Sequence, residues 1–271
     1  MDSIRYIDSI LIVWPDQKYQ MLKATPVIGL LTVNQREAGG RFNYDQFFPA
    51  AKPLFSDVTP QAGLNWTHEE NDFLDFNKQY LTPHMESTRG PKLAVGDVNK
   101  DGLDDIYVCG ASGQAGQMLL QNAAGKFIAS DTAVFGKAWL SEDVDAVFFD
   151  ANNDNAPDLY VVSGGNQFDD GDPRLADHLY IYHAKGHFTM AEGAIPNLLK
   201  NKSCVTVADI DKDGDNDLFV GGLADAKRFG ISQPSYLLLN DGKGHFSQAG
   251  ASQIKLDNLG IVTTASFTDL D

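Results

Sequence analysis

Apolar residues along this chain come in short bursts closed by glycine, asparagine or aspartate, and the bursts recur in sets of four. One set is Leu93-Ala-Val95, Ile106-Tyr-Val108, Met118-Leu-Leu120 and a run at Phe127. A second is Ala146-Val-Phe-Phe149, Leu159-Tyr-Val-Val162, Leu179-Tyr-Ile-Tyr182 and Phe188. A third is Cys204-Val-Thr-Val-Ala208, Leu218-Phe-Val220, Tyr236-Leu-Leu-Leu239 and Phe246. Runs of this length, rich in β-branched and aromatic residues and bounded by turn formers, predict antiparallel strands, and no long helical periodicity competes. Four strands per unit of roughly 55–60 residues is the pattern of propeller blades. The expected fold is therefore all-β: four-stranded blades of a β-propeller, an incomplete set of three to four, with a small N-terminal β segment.

The flanks follow a different pattern. Ser9–Asp16 and Val27–Val33 read as two strands around a turn, and Gly39-Gly40 marks a boundary. Residues 1–40 are thus expected to form a separate β segment, 41–90 a linker and lead-in, and 91–271 the blades. Leu54–Leu64 resembles the last strand of a blade with its exit and offers a closing strand. Residues 65–90, with Trp66, His68, Glu69 and Glu70, read as a lead-in loop.

Between the first and second strand of each set lies an acidic loop. Oxygen side chains stand at positions 1, 3, 5 and 9: Asp97, Asn99, Asp101 and Asp105; Asp150, Asn152, Asp154 and Asp158; Asp209, Asp211, Asp213 and Asp217. A fourth copy begins at Asp269-Leu-Asp271. Alternate spacing in a tight turn lets these oxygens converge, and their mutual repulsion calls for a cation. Gly102 and Gly214 at position 6 let the backbone bend so that the carbonyls of Leu103 and Asp215 at position 7 point inward. The middle loop has Asn155 there, which tolerates positive φ, with Ala156 at position 7 and Pro157 stiffening the exit. Six to eight oxygens in irregular geometry suit Ca²⁺ better than Mg²⁺ and disfavour zinc and copper. About three Ca²⁺ sites are expected. An EF-hand is excluded, because its position 12 needs glutamate and those positions are Val108, Val161 and Val220, inside strands. The plainer alternative is a set of solvated Asp/Asn turns.

The loop D-x-[DN]-x-D-G-x-x-D between two strands, followed by a segment such as Asn240-Asp-Gly-Lys-Gly-His-Phe246, resembles the FG-GAP/VCBS repeats of integrin-α-like β-propellers. The resemblance covers about residues 91–271 and implies that loop positions 1, 3, 5 and 9, with the position-7 carbonyl, hold calcium. Val13-Trp-Pro-Asp16 with Gln20 and Val33-Asn34 is similar to the tail of an ASPIC/UnbV domain, although the usual glycine after Pro-Asp is Gln17 here. That second likeness implies a bacterial protein acting outside the cytoplasm: extracellular, periplasmic or cell-surface.

Composition adjusts this picture only in part. Among 271 residues, 21 Lys+Arg against 37 Asp+Glu leave a net charge of −16, with 43% hydrophobic residues. That is too apolar for a disordered acidic tail. It also lacks the basic footprint of a nucleic-acid binder or of a protein drawn to anionic lipid. No apolar run reaches the length of a membrane span, so direct membrane insertion is not expected. Twelve of the 37 acidic residues sit at loop ligand positions, so much of the charge is a count of ligands. No secretory leader opens the chain and the last repeat stops part-way, so it reads as a piece of a longer protein whose blades form an open arc, a partial propeller or an assembly. Cys109 and Cys204 read as buried free thiols, without a disulfide framework or zinc-ligand spacing.

No catalytic motif stands out. His68-Glu69-Glu70, and His84 near Glu86, could form an acid–base or metal cluster, though polar loop residues is the plainer reading. His187 and His245 occupy equivalent turns and fit a structural role. Asp169-Asp170-Gly171-Asp172 reads as a solvated loop, with an acidic binding loop or extra cation site as alternatives. Trp66, Trp139, Phe168 and Phe229 could line a carbohydrate platform, with packing the commoner use. Two functional classes remain: a non-enzymatic, calcium-stabilised binding or adhesion module for a protein or glycan ligand, and a carbohydrate-active enzyme, lyase or hydrolase, on the same scaffold. The second would need a carboxylate pair outside the metal loops, and none is nominated. Binding without catalysis is the expectation.

Overall fold

The computed structural model describes residues 5–26, 29–49, 53–250, 256 and 259–268, in two compact units, Met1–Asp57 and Val58–Asp271. The Asp269–Asp271 motif lies outside the described residues.

In the first unit, β1 (Tyr6–Val13), β2 (Lys18–Pro26) and β3 (Gly39–Arg41) form an antiparallel sheet in that order. The turn from β1 to β2 is closed by Trp14 N–H donating to Lys18 O at 2.9 Å and Gln17 N–H to Trp14 O at 2.9 Å. Gln17 lies at φ 65°, a left-handed position that glycine adopts most easily. This tight turn explains a difference from the sequence expectation. It seats Tyr19 opposite Val13, so the second strand is Lys18–Pro26 rather than Val27–Val33. Of that apolar run, residues 27–28 lie outside the described set and 29–33 have no regular structure, with Leu30 fully open to solvent. Hairpin closure outweighs apolar density here. Gly39-Gly40 is strand paired to β2, and Gly40 lets the Tyr19 ring approach, since a Cβ there would stand 3.0 Å from Tyr19 Cε1. The helical turn α1 (Tyr44–Phe47) sends Phe47 edge-on to Tyr19, ring centroids 4.7 Å apart.

Leu54–Leu64, which runs from the end of the first unit into the second, contains no strand among the described residues. It forms a helical turn, α2 (Thr59–Ala62), with Pro60 in its first turn and Gly63 at φ 72° closing it. A helical turn of the same length, α3 (Thr132–Phe135), follows the last strand of the first blade. The likeness to a blade end was therefore a likeness to its exit.

Three four-stranded antiparallel sheets follow. The first has the order β4 (Leu93–Gly96), β5 (Asp105–Val108), β6 (Gln117–Gln121), β7 (Phe127–Ser130). The second runs β8 (Glu142–Phe149), β9 (Asp158–Gly164), β10 (His178–Ala184), β11 (His187–Met190). The third contains β12 (Lys202–Ala208) and β13 (Asp217–Gly222), then an excursion through the small hairpin β14 (Ala224–Asp225) and β15 (Arg228–Ser232). It closes with β16 (Tyr236–Asn240) and β17 (Phe246–Gln248). These are the twelve expected strands plus one hairpin. The protein is all-β in class, with propeller-type blades as separate sheets and, among the described residues, no sheet closed on itself.

Period-two alternation builds the core between blades. Every residue of β9 is buried. Leu159 and Val161 pack with Tyr107, Met118 and Tyr180 between the first and second blades. Tyr160 and Val162 pack with Leu218, Val220 and Leu238 between the second and third. The first strands β4, β8 and β12 lie against one another in series. Cys109 and Cys204 are buried free thiols, as expected.

Candidate metal centre

Each acidic loop is the connection of a first-to-second-strand hairpin, in one register: Gly96 faces Asp105, Phe149 faces Asp158 and Ala208 faces Asp217. The backbone follows the same path each time. Position 4 is left-handed (Lys100 φ 59°, Asn153 φ 60°, Lys212 φ 62°), and so is position 6 (Gly102 φ 84°, Asn155 φ 63°, Gly214 φ 100°). The position-6 bend was legible in the sequence. The one at position 4 was not, because lysine, which stands there in the first and third loops, gives no sign of it.

The position-1 aspartate accepts two backbone N–H groups in every loop. Asp97 takes those of Asp101 (3.0 Å) and Gly102 (2.8 Å), Asp150 those of Asp154 (3.2 Å) and Asn155 (2.7 Å), and Asp209 those of Asp213 (3.1 Å) and Gly214 (3.1 Å). Asn99, Asn152 and Asp211 at position 3 accept the position-5 N–H, at 2.9, 3.0 and 3.3 Å. Asp101, Asp154 and Asp213 accept the position-7 N–H of Leu103, Ala156 and Asp215, at 2.9, 2.7 and 2.9 Å. Each oxygen keeps a second lone pair for a cation. No hydrogen bond among the described residues goes to the carbonyls of Leu103, Ala156 or Asp215. In the third loop, oxygens of Asp209, Asp211 and Asp217 lie within 4.8 Å of one another.

Position 9 has a second use that the sequence reading missed. Asp105, Asp158 and Asp217 are fully buried. One oxygen accepts the N–H of position 2 (Val98, Ala151, Ile210; 3.1, 3.0 and 2.9 Å). The other accepts an N–H of the blade's third strand (Gln121, Tyr182, Asn240; 2.8, 2.8 and 2.9 Å). The residue clips the loop to the sheet as well as facing a site. Burial pushes the Asp158 carboxyl up to about 6, and Asp105 upward, with neighbouring loop carboxylates adding to the shift. The Asp211 carboxyl is also raised, by desolvation and then by Asp213 and Asp217.

The second and third loops also touch. Asn153 donates to the Asp215 side chain, Asn216 Nδ2 to Asp150 O at 3.3 Å, and Asn240 Nδ2 to Ala151 O at 2.9 Å.

The other candidates are placed as follows. Asp169–Asp172 is a largely solvent-exposed loop, in keeping with the solvated reading, and its carboxylates are ion-paired to lysine and arginine side chains. Asp169 pairs with Lys78 (2.8 Å) and Lys227 (2.7 Å), Asp170 with Lys200 (2.6 Å), and Asp172 with Arg174 (2.6 Å). The two lysines hold the Asp169 carboxyl down at about 2. His187 and His245 pair with turn aspartates, Asp131 at 3.1 Å and Asp241 at 3.3 Å. Phe168 is buried under the Arg174 guanidinium, 4.3 Å from ring centroid to Cζ, whereas Trp139 and Phe229 are exposed. His84 pairs with Glu86 at 2.9 Å.

The 68–70 stretch is held by a residue that sequence spacing could not nominate. His68 Nε2 lies 2.8 Å from Glu70 Oε1, and Glu142, from the start of β8, brings an oxygen within 4.8 Å of both. Glu142 Oε2 accepts Ser112 N–H at 2.8 Å and Gln167 Nε2 at 2.9 Å. Next to it, Asp143 Oδ2 accepts Tyr107 Oη–H at 3.0 Å and Gly110 N–H at 3.2 Å. Burial pushes both carboxyls up to about 7.

Two stretches, residues 97–161 and 150–220, match the family model of the FG-GAP-like repeat. Each match begins on the position-1 aspartate of one loop and ends in the second strand of the next blade. Over these two stretches the chain is similar to the FG-GAP-like repeat. No curated protein matches it.

Proposed function

We propose that this chain is a non-enzymatic, Ca²⁺-stabilised β-propeller module of a secreted or cell-surface bacterial protein, and that it binds a protein or glycan partner. The observation that carries this reading is the triple loop, in which one backbone path and one hydrogen-bond scheme preset three all-oxygen donor sets, each with a free position-7 carbonyl. Such a set fits a hard cation. Asp97, Asn99, Asp101, Asp105 and the Leu103 carbonyl would hold one ion. Asp150, Asn152, Asp154, Asp158 and the Ala156 carbonyl would hold a second, and Asp209, Asp211, Asp213, Asp217 and the Asp215 carbonyl a third. The ions would cancel repulsion and lock each hairpin, a structural use. No helix among the described residues is long and apolar enough to cross a membrane, which agrees with a module displayed beside a surface. The glycan arm rests on a groove of about 490 Å³ lined by Trp66, Glu69, Gln114 and Gln117, an aromatic face beside amide and carboxylate groups.

The test is thermal unfolding with Ca²⁺ and with chelator. Each site filled at 100 times its Kd adds about 2.7 kcal/mol, so the midpoint falls clearly on chelation. An unchanged midpoint rejects the calcium reading. A glycan array with the Ca²⁺-loaded protein, scored for binding and for product release, separates a lectin-like module from a carbohydrate-active enzyme.

A further inference from the structure

We propose that His68, Glu70 and Glu142 form a second kind of metal centre, separate from the acidic loops, that takes a divalent transition ion, Zn²⁺ in the first instance. One nitrogen or oxygen of each residue lies within 4.8 Å of the others. An imidazole and two carboxylates form a mixed donor set that suits zinc rather than calcium, and three protein ligands leave a coordination position for water.

Charge supplies the second argument. Glu142 is 2% exposed and Asp143 beside it 5% exposed. Neither is ion-paired to a lysine or arginine among the described residues, and their hydrogen-bond donors are all neutral: Ser112 N–H, Gln167 Nε2, Tyr107 Oη–H and Gly110 N–H. Buried carboxylates without a countercharge are costly, and one imidazole faces them. A dication supplies the missing charge. Two atoms at the site are also orphaned: His68 Nδ1 and Gln167 Oε1 are enclosed and without a hydrogen-bond partner among the described residues. A metal, and a water bound to it, would give these atoms the partners they lack.

The ligands are held in place beforehand. His68 and Glu70 alternate along an extended segment pinned by Glu69 N–H to Gln114 Oε1 (2.9 Å) and Gln114 Nε2 to Thr67 O (2.7 Å). Gly90 leaves room for the imidazole, since a Cβ there would stand 3.2 Å from the ring. The centre thereby ties the lead-in segment to the first and second blades.

The test is Zn²⁺ competition against a chromophoric chelator, with the full chain in saturating Ca²⁺ so that the acidic loops are occupied. One Zn²⁺ per chain is expected. His68→Ala and Glu142→Gln should weaken it by more than the roughly 10–100-fold that loss of an outer-shell partner costs, while Asp211→Asn leaves it unchanged. Co²⁺ substitution should give visible bands that His68→Ala abolishes. Glu142→Gln keeps an acceptor for Ser112 N–H, and Glu70→Gln serves as the readout if Glu142→Gln does not fold. The proposal is overturned by absence of stoichiometric Zn²⁺ in the wild type, by wild-type affinity in His68→Ala and the glutamine variants, or by loss of Zn²⁺ in Asp211→Asn.

Discussion

The acidic loops and the His68–Glu70–Glu142 cluster both gather carboxylates, but they hold the charge differently. In a loop every donor lies within nine successive residues, and the position-1 carboxylate is cradled by two backbone N–H groups, as Asp97 is by Asp101 and Gly102. The backbone itself stabilises the negative charge there. In the cluster the residues come from distant segments, and burial pushes the carboxyls of Glu142 and its neighbour Asp143 up to about 7. A loop can therefore be copied along the chain as a short string, whereas the cluster exists only where folded blades meet the lead-in.

The largest test of this contrast concerns the buried carboxylate that each loop does contain. Asp158→Ala strands the N–H groups of Ala151 and Tyr182 inside the second blade, whose second strand is buried on both faces. Two unmet buried donors should cost on the order of 2–5 kcal/mol. Asp154→Ala, on the exposed side of the same loop, should change the stability of the metal-free protein by no more than about 0.5 kcal/mol. Denaturant unfolding in chelator measures both. Equal losses would mean that position 9 has no special structural role.

A middle-sized effect is expected in the cluster. Burial pushes the Asp143 carboxyl up to about 7 from its ordinary 3.8, so between those values the folded state binds more protons than the unfolded state. Wild-type stability in chelator should therefore fall as pH rises through this window. Asp143→Asn keeps an acceptor for Tyr107 and Gly110 without the charge. It should be more stable than wild type at pH 8, on the order of 1–3 kcal/mol, with the gap closing towards pH 4. Thermal unfolding across that range checks this, and a gap independent of pH would assign the effect to packing instead of charge.

How much could be read in advance follows the same division. The twelve blade strands and three loops were legible because short-range pattern determines them: alternation gives the strand faces, and Asp/Asn at odd positions with a position-6 bend gives the turn. What escaped depends on distance or closure. The clip from Asp217 to Asn240 spans two strands, and Glu142 joins His68 only after two blades pack. The Lys78 and Lys227 partners of Asp169 come from the lead-in and the β14–β15 hairpin. The second strand was misplaced because Val27–Val33 is the more apolar run, while the turn at Trp14–Gln17 fixes pairing with Lys18–Pro26.

The smallest effect tests whether a loop is specified by its backbone path or by its letters. Asn155 stands where the other two loops have glycine, at φ 63°, and its N–H still reaches Asp150 Oδ2 at 2.7 Å. Asparagine tolerates this region, whereas alanine there meets its own Cβ against the following carbonyl. Asn155→Ala should therefore cost about 1 kcal/mol. Asn155→Gly trades an easier left-handed bend for a more flexible unfolded chain and should stay within about 0.5 kcal/mol of wild type, with Ca²⁺ affinity unchanged. The two variants remove the same side-chain amide and differ only in the presence of a Cβ. A difference between them in chemical unfolding isolates the backbone conformation, and equal stability would mean that the path does not depend on position 6. In that case the match between the middle loop and its neighbours would rest on the aspartates alone.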